Sequence, residues 1–244
     1  MNLKAFARKL LPPKLRLQWK LWQRAVKDKR QFHRFATNKC TEPVAVNFPF
    51  SLTETQPILH SATLENKLNN LRLGAAQMQQ IVIAPNEVFS FWKLVGCPSA
   101  KNGFAKSRSI INGKLEAETG GGLCQLSGIM YLLALKAEMK ITERHHHSMD
   151  IYKEAERFAP LGADATVAYG YKDLRFLNYF PQSICFSFTI EPMQITATLH
   201  SEHSLETKSI SFKYEYYKDR IQVKTLCNGQ LLFTNQYKKM FPVD

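Results

Sequence analysis

The sequence predicts an α+β fold, a mostly antiparallel sheet packed on a buried central helix and led by an N-terminal basic amphipathic helical arm. Three patterns carry this reading. After Pro181, Met193, Ile195, Ala197 and Leu199 alternate with Gln194, Thr196, Thr198 and His200, the period of a half-buried strand. The run from Leu123 to Leu135 is apolar nearly all round, which places a helix in the interior. Residues 1–40 hold twelve Lys or Arg against one acid, Asp28, so +11 of the formal net charge of +13 sits there.

In chain order, the arm comes first. From Lys14 onward Leu15, Trp19, Trp22 and Val26 recur at helical spacing, with Lys20, Arg24, Lys27 and Arg30 elsewhere around the wheel. Two tryptophans on an apolar stripe beside basic residues suit a helix lying on an anionic membrane surface, engaged through residues 1–35. The competing reading packs the stripe on the protein's own body. Nucleic acid is disfavoured, because basic charge confined to one helix comes with no recognisable binding module.

Leu64, Leu68, Leu71, Ala75 and Met78 share a face, giving a helix over 61–79. Ile81 to Ile83 and Val88 to Trp92 read as short strands joined through Pro85-Asn86, and 96–108 as a loop. Asn112-Gly113 lies between two strand-like stretches and has the type I′ hairpin signature, since both central residues need positive φ. Its second strand runs into Gly120-Gly121-Gly122 and then the buried helix. Beyond Pro181, strands at 184–190, 193–199 and 210–216, with two more around Asn228-Gly229, give an antiparallel meander of about five. Nothing resembling a linker divides residues 41–244, so 1–40 is read as an arm and 41–244 as one domain.

Five cysteines, Cys40, Cys97, Cys124, Cys185 and Cys227, form no CxxC or CxxH pair, which argues against a disulfide framework and a structural zinc site. Neither metal nor cofactor is expected. No apolar run in the arm exceeds the three residues Ala5-Phe6-Ala7, with Leu10-Leu11 next before Pro12-Pro13, short of a secretory core of roughly 7–15 residues. No stretch approaches the roughly eighteen apolar residues of a spanning helix. The expected location is the cytoplasm, peripheral on the inner face of the membrane if the arm binds lipid.

The chemistry concentrates at Gly120-Gly121-Gly122-Leu123-Cys124-Gln125, followed some twenty residues on by Arg144-His145-His146-His147-Ser148. A Cys in the first turn of a helix meets unpaired N–H groups and the positive end of the macrodipole, which favour thiolate over thiol. Glycines let the backbone turn sharply and approach a substrate. The N–H groups near Cys124, with the Gln125 amide, are candidate donors to an oxyanion. A histidine supplies the base. In an extended segment His145 and His147 share one face and His146 the other, and His147 is favoured. The acid behind the imidazole is Asp164 or Asp173.

Gly120 to Ser127 with Tyr131, then Glu143 to Ser148, Pro160 to Val167 and Asp173 to Asn178, resemble the successive motifs of the VanW family. Phe89-Ser90-Phe91 with Gly96 resembles its upstream motif, and the arm resembles that of the short, single-domain members. The resemblance implies a tie to vancomycin resistance and the cell envelope. Longer secreted relatives are linked to L,D-transpeptidation of peptidoglycan, in which a Cys takes an acyl group from a peptide stem and passes it to an amine. Carried over by position, Cys124 is the nucleophile, His147 the base and Asp164 its partner. Gly121, Gly122, Gln125, Ser127, Arg144, Ser148, Asp173 and Asn178 are binding candidates. Ala163 stands where the family pattern has Arg, removing a cation suited to a carboxylate. Two readings follow: a peripheral Cys/His acyl-transfer enzyme on a peptide-bearing cell-wall precursor, or a non-catalytic protein that binds such a precursor or a partner at the membrane surface.

Overall fold

The computed structural model describes residues 12–31, 33–111, 114–150 and 157–240. Its first element is α1 (Pro13–Arg30), with Pro at the start, where a missing N–H costs nothing. Most strands fall into two four-stranded sheets. In the first, β1 (Phe50–Pro57), β10 (Gln194–Ser201), β9 (Ile184–Ile190) and β2 (Val82–Ile83) are neighbours in that order, all antiparallel. In the second, β11 (Ile210–Tyr216), β12 (Arg220–Cys227) and β13 (Gln230–Lys239) form an antiparallel meander, and β7 (Met149–Asp150) joins β13 in parallel. In a three-stranded sheet β8 (Arg175–Leu177) lies between β3 (Val88–Ser90) and β6 (Lys140–Glu143). β4 (Lys106–Ile111) and β5 (Lys114–Thr119) form a separate hairpin, whose Asn112-Gly113 turn lies outside the described residues.

The core sits under the first sheet. Helix α5 (Leu123–Lys136) has twelve of its fourteen residues buried, so no polar face remains for solvent, and it packs on β1, β10 and a second long helix, α3 (Leu64–Met78). Leu68, Leu71, Ala75 and Met78 turn the apolar face of α3 into the same cluster, together with Phe89, Phe176 and Phe186. The second sheet has its own small cluster of Ile221, Val223 and Tyr237. The fold is therefore α+β and mostly antiparallel, around a buried helix.

Three sequence expectations need correction, and β1 is a strand that no local pattern marks. The strands after Pro181 divide between two sheets instead of forming one meander, because β10 pairs with β1 and leaves β11 to pair with β12. β1 itself carries no apolar alternation; Thr53 and Thr55 face Thr198 and Thr196 through hydroxyl contacts of 3.1 and 3.0 Å. Val88 to Trp92 is not one strand, since Ser90 Oγ accepts the Lys93 N–H and starts a short helix, α4 (Phe91–Val95), after β3. The segment read as a loop over 96–108 holds a 3₁₀ turn (Ala100–Asn102) and the first residues of β4.

Candidate active site

α5 sets Cys124 in its first turn. Gly122, its N-cap, has φ 98°, and a Cβ there would stand 2.8 Å from Lys67 Cγ. Gly120 has φ 85°, and its Cβ would stand 2.7 Å from Pro98 Cβ. Both positions thus require glycine. The Leu123 N–H reaches Gly120 O at 3.4 Å and the Gln125 N–H donates to Gly122 O at 2.9 Å. The Cys124 N–H has no such partner among the described residues, and it points from the positive end of the helix. The half-buried thiol lies 3.6 Å from Thr166 Oγ1 and 3.8 Å from Val167 O.

β6 delivers Arg144 to His147 alongside residues 162–167, and the Thr166 N–H donates to His145 O at 2.7 Å, joining the two segments. Asp164 Oδ2 accepts the His147 backbone N–H and lies 2.7 Å from its ring Nδ1. The imidazole, its Nδ1 engaged by Asp164, is also near enough to the Cys124 thiol for each group to shift the ionisation of the other. Burial alone would push the Cys124 thiol up, but the hydrogen bond and charge of His147 outweigh it and hold the thiol below its ordinary value. Burial likewise opposes a charged imidazole, yet Asp164 and the sulfur raise His147 to about 10. Burial works against Asp164 as well, and His147 and Arg144 hold it far below the usual carboxylate range. The three shifts run in the direction that favours a thiolate and an imidazolium with a carboxylate behind them.

A second layer fixes Asp164. Arg144 Nη2 donates to Asp164 Oδ1 and to Gly162 O, both at 3.0 Å, and its Nε donates to Asp164 O at 2.8 Å. Tyr237 Oη donates to Asp164 Oδ1 at 2.5 Å, and Asn235 Oδ1 accepts from Arg144 Nη1. The guanidinium stacks 4.8 Å from the Tyr131 ring centroid. Tyr237 and Asn235 belong to β13, so the C-terminal sheet supplies part of the site. No motif marks them, and their alternating strand gives only a face; parallel pairing of β7 with β13 is what brings them to the histidines.

The remaining expected residues divide. Ser127 Oγ donates to Ala165 O, tying α5 to the Asp164 segment. The Gln125 side-chain N–H donates to Pro57 O at 2.9 Å, so that amide is directed to β1 and not to an oxyanion. Gly121 O accepts the buried Asn70 amide. Ser148 is exposed, and its carbonyl accepts the Lys238 N–H. His146 Nδ1 lies 2.7 Å from His147 O and its ring tilts over Tyr237, while His145 lies 3.1 Å from Glu143. Asn178 is fully buried and donates to Ile83 O and Gln182 O, bracing a turn.

Asp173 does not support the imidazole. It accepts from Ser90 Oγ (2.7 Å), the Trp92 N–H (3.1 Å) and Arg175 Nε (2.8 Å). Arg24 of α1 reaches this cluster, with two hydrogen bonds to Glu143 (3.0 and 2.6 Å), and Asp28 pairs with Arg175 (2.6 Å) and Lys93 (3.2 Å). Burial would raise Glu143, but His145, Arg24 and Arg175 bring it down to about 2. Leu17 packs so closely on Gly170 that no Cβ fits there. The arm's helix is thus docked on the body. The stripe named from the sequence faces the other way: Leu15, Trp19 and Trp22 are 50, 54 and 56% exposed.

Among the described residues no group of three or more His, Cys, Asp or Glu is placed to hold a metal ion. None of the described helices is long and apolar enough to cross a membrane.

A helix-borne cysteine, an imidazole that lowers its pKa and a carboxylate hydrogen-bonded behind that imidazole define a Cys–His–Asp constellation on an α+β scaffold. The chain belongs to the VanW family: a family profile described as VanW like protein matches residues 66–200. That span contains all three residues, whereas Asn235 and Tyr237 lie beyond it. Over 219 residues the chain is 28% identical to vancomycin B-type resistance protein VanW of Enterococcus faecalis, covering 80% of each. It is also 28% identical over 206 residues to the uncharacterized protein YoaR of Bacillus subtilis, covering 79% of this chain and 66% of that one. The family is thereby linked to vancomycin resistance. No solved structure matches the chain.

Proposed function

We propose that this protein is a cysteine acyltransferase acting on the peptide of a cell-envelope precursor. The observation that carries the reading is His147, held 2.7 Å from Asp164, acting on the Cys124 thiol so that its pKa lies below the ordinary value. The Cys124 thiolate attacks the carbonyl carbon of a peptide stem, forming a C–S bond, and the Cys124 N–H, without a backbone partner among the described residues, donates to the oxygen that becomes negative. The His147 imidazolium gives its proton to the leaving amine as the C–N bond breaks, producing a thioester. An incoming amine then loses a proton to His147 and takes the acyl group as the C–S bond breaks, restoring the thiolate and the imidazolium. Asp164 keeps the ring in the orientation both steps need. The kinship to a vancomycin resistance protein supports the envelope peptide as substrate class.

The test is acylation of the purified chain by a peptidyl thioester, followed by mass spectrometry. The wild type should gain one acyl group that hydroxylamine or a primary amine removes, and Cys124→Ser should gain none. Equal labelling of both, or a wild type that is never acylated, would remove the enzyme reading.

A further inference from the structure

α1 has two opposed faces with different occupants. Leu17, Leu21, Arg24 and Asp28 lie along one side, where the leucines meet Gly170 and the charges meet Glu143, Asp173, Arg175 and Lys93. Leu15, Trp19 and Trp22 lie along the other, with the two indoles stacked at 4.8 Å between centroids. At 100° per residue Lys29 and Arg30 flank that apolar stripe, and Lys14 and Lys27 stand farther round; all four are exposed. The only acid of residues 1–40, Asp28, is buried and paired on the opposite side, so the outward face carries positive charge with no acid paired to it among the described residues.

We infer that this outward face of α1 docks on an anionic lipid surface, with Trp19 and Trp22 seated at headgroup level and the lysines and arginines against lipid phosphates. The charge is complementary to such a surface, and indoles are suited to its boundary, with an apolar ring and a polar N–H. Among the described residues the patch is lined by Leu15, Gln18, Trp19 and Trp22 of α1. The inference is independent of the chemistry at Cys124.

The experiment is co-sedimentation of the full chain with vesicles of phosphatidylglycerol and phosphatidylcholine, or of phosphatidylcholine alone. Wild type should pellet with the anionic vesicles only, and less as salt shortens the Debye length from about 10 Å to about 3 Å. The double variant Trp19→Ser, Trp22→Ser should lose at least about tenfold in affinity while melting at the wild-type temperature, since both side chains are exposed. Equal pelleting of variant and wild type, equal pelleting with neutral vesicles, or binding to an RNA oligonucleotide with none to vesicles would each overturn it.

Discussion

One carboxylate oxygen holds His147 twice: Asp164 Oδ2 lies 2.7 Å from both the backbone nitrogen and the ring Nδ1. The backbone contact fixes where the residue is, and the ring contact fixes how the imidazole is turned. Substituting Asp164→Asn keeps the shape and removes the charge, so the imidazolium loses its main support and the thiolate loses the imidazolium. The midpoint for alkylation of Cys124 by iodoacetamide should move to higher pH than in wild type. Acyl transfer should fall by on the order of a thousandfold or more. An unmoved alkylation profile would show that Asp164 does not act through His147.

The ion pair also fixes how stability responds to pH. Folding raises His147 from 6.5 to about 10, so its contribution is full below pH 6.5 and lost as pH rises through about 10. Folding lowers Cys124 from 9.0, so its contribution is full above pH 9.0 and lost as pH falls through the lowered value. One group binds a proton on folding and the other releases one. Between pH 6.5 and 9.0, wherever the folded state holds both charges and the unfolded state neither, the two cancel, and wild-type stability should be level. Cys124→Ala leaves His147 with Asp164 alone, so stability should fall as pH rises above 6.5, approaching about 1.4 kcal/mol per pH unit while the ring stays charged. Urea denaturation at a series of pH values measures both slopes, and parallel slopes would contradict a charged pair.

Tyr237 is fully buried, and its hydroxyl donates to the other oxygen of Asp164. Tyr237→Phe keeps the ring against Ile221 and Val223 but leaves Oδ1 to Arg144 alone. The expected cost is about 1.5–3 kcal/mol in the urea midpoint, the range for a hydrogen bond to a charged group. A variant as stable as wild type would show that Arg144 suffices for that oxygen.

Tyr237 also marks where legibility in the sequence stops. The glycine run, the apolar helix and the histidine cluster were readable because each is a local pattern, and so was the face of α3. Choosing Asp164 over Asp173 was not, because both follow turns and only the fold shows that Asp173 is consumed by Ser90, Trp92 and Arg175. The same holds for Asp28, a lone acid in a basic segment whose partners lie far along the chain. Parallel pairing of Lys238 with Met149 is a long-range event with no local signal, so the part played by β13 could not be foreseen.

The glycine at the N-cap of α5 offers a last test of how backbone shape prepares the thiol. Gly122→Ala places a side chain at φ 98°, at a cost of about 1–2 kcal/mol, and sets its Cβ against Lys67 Cγ. Gly96, at φ 75° with nothing within 4 Å of its Cβ, provides a matched control, since Gly96→Ala carries the backbone strain without the contact and leaves the first turn of α5 alone. Both variants should melt below wild type. Only Gly122→Ala should also slow alkylation of Cys124 at neutral pH, because relief of its strain moves the turn that aims the sulfur at His147. If the two variants lost stability equally and both kept the wild-type alkylation rate, the position of the sulfur would depend on α5 and its burial, and not on the left-handed turn before it.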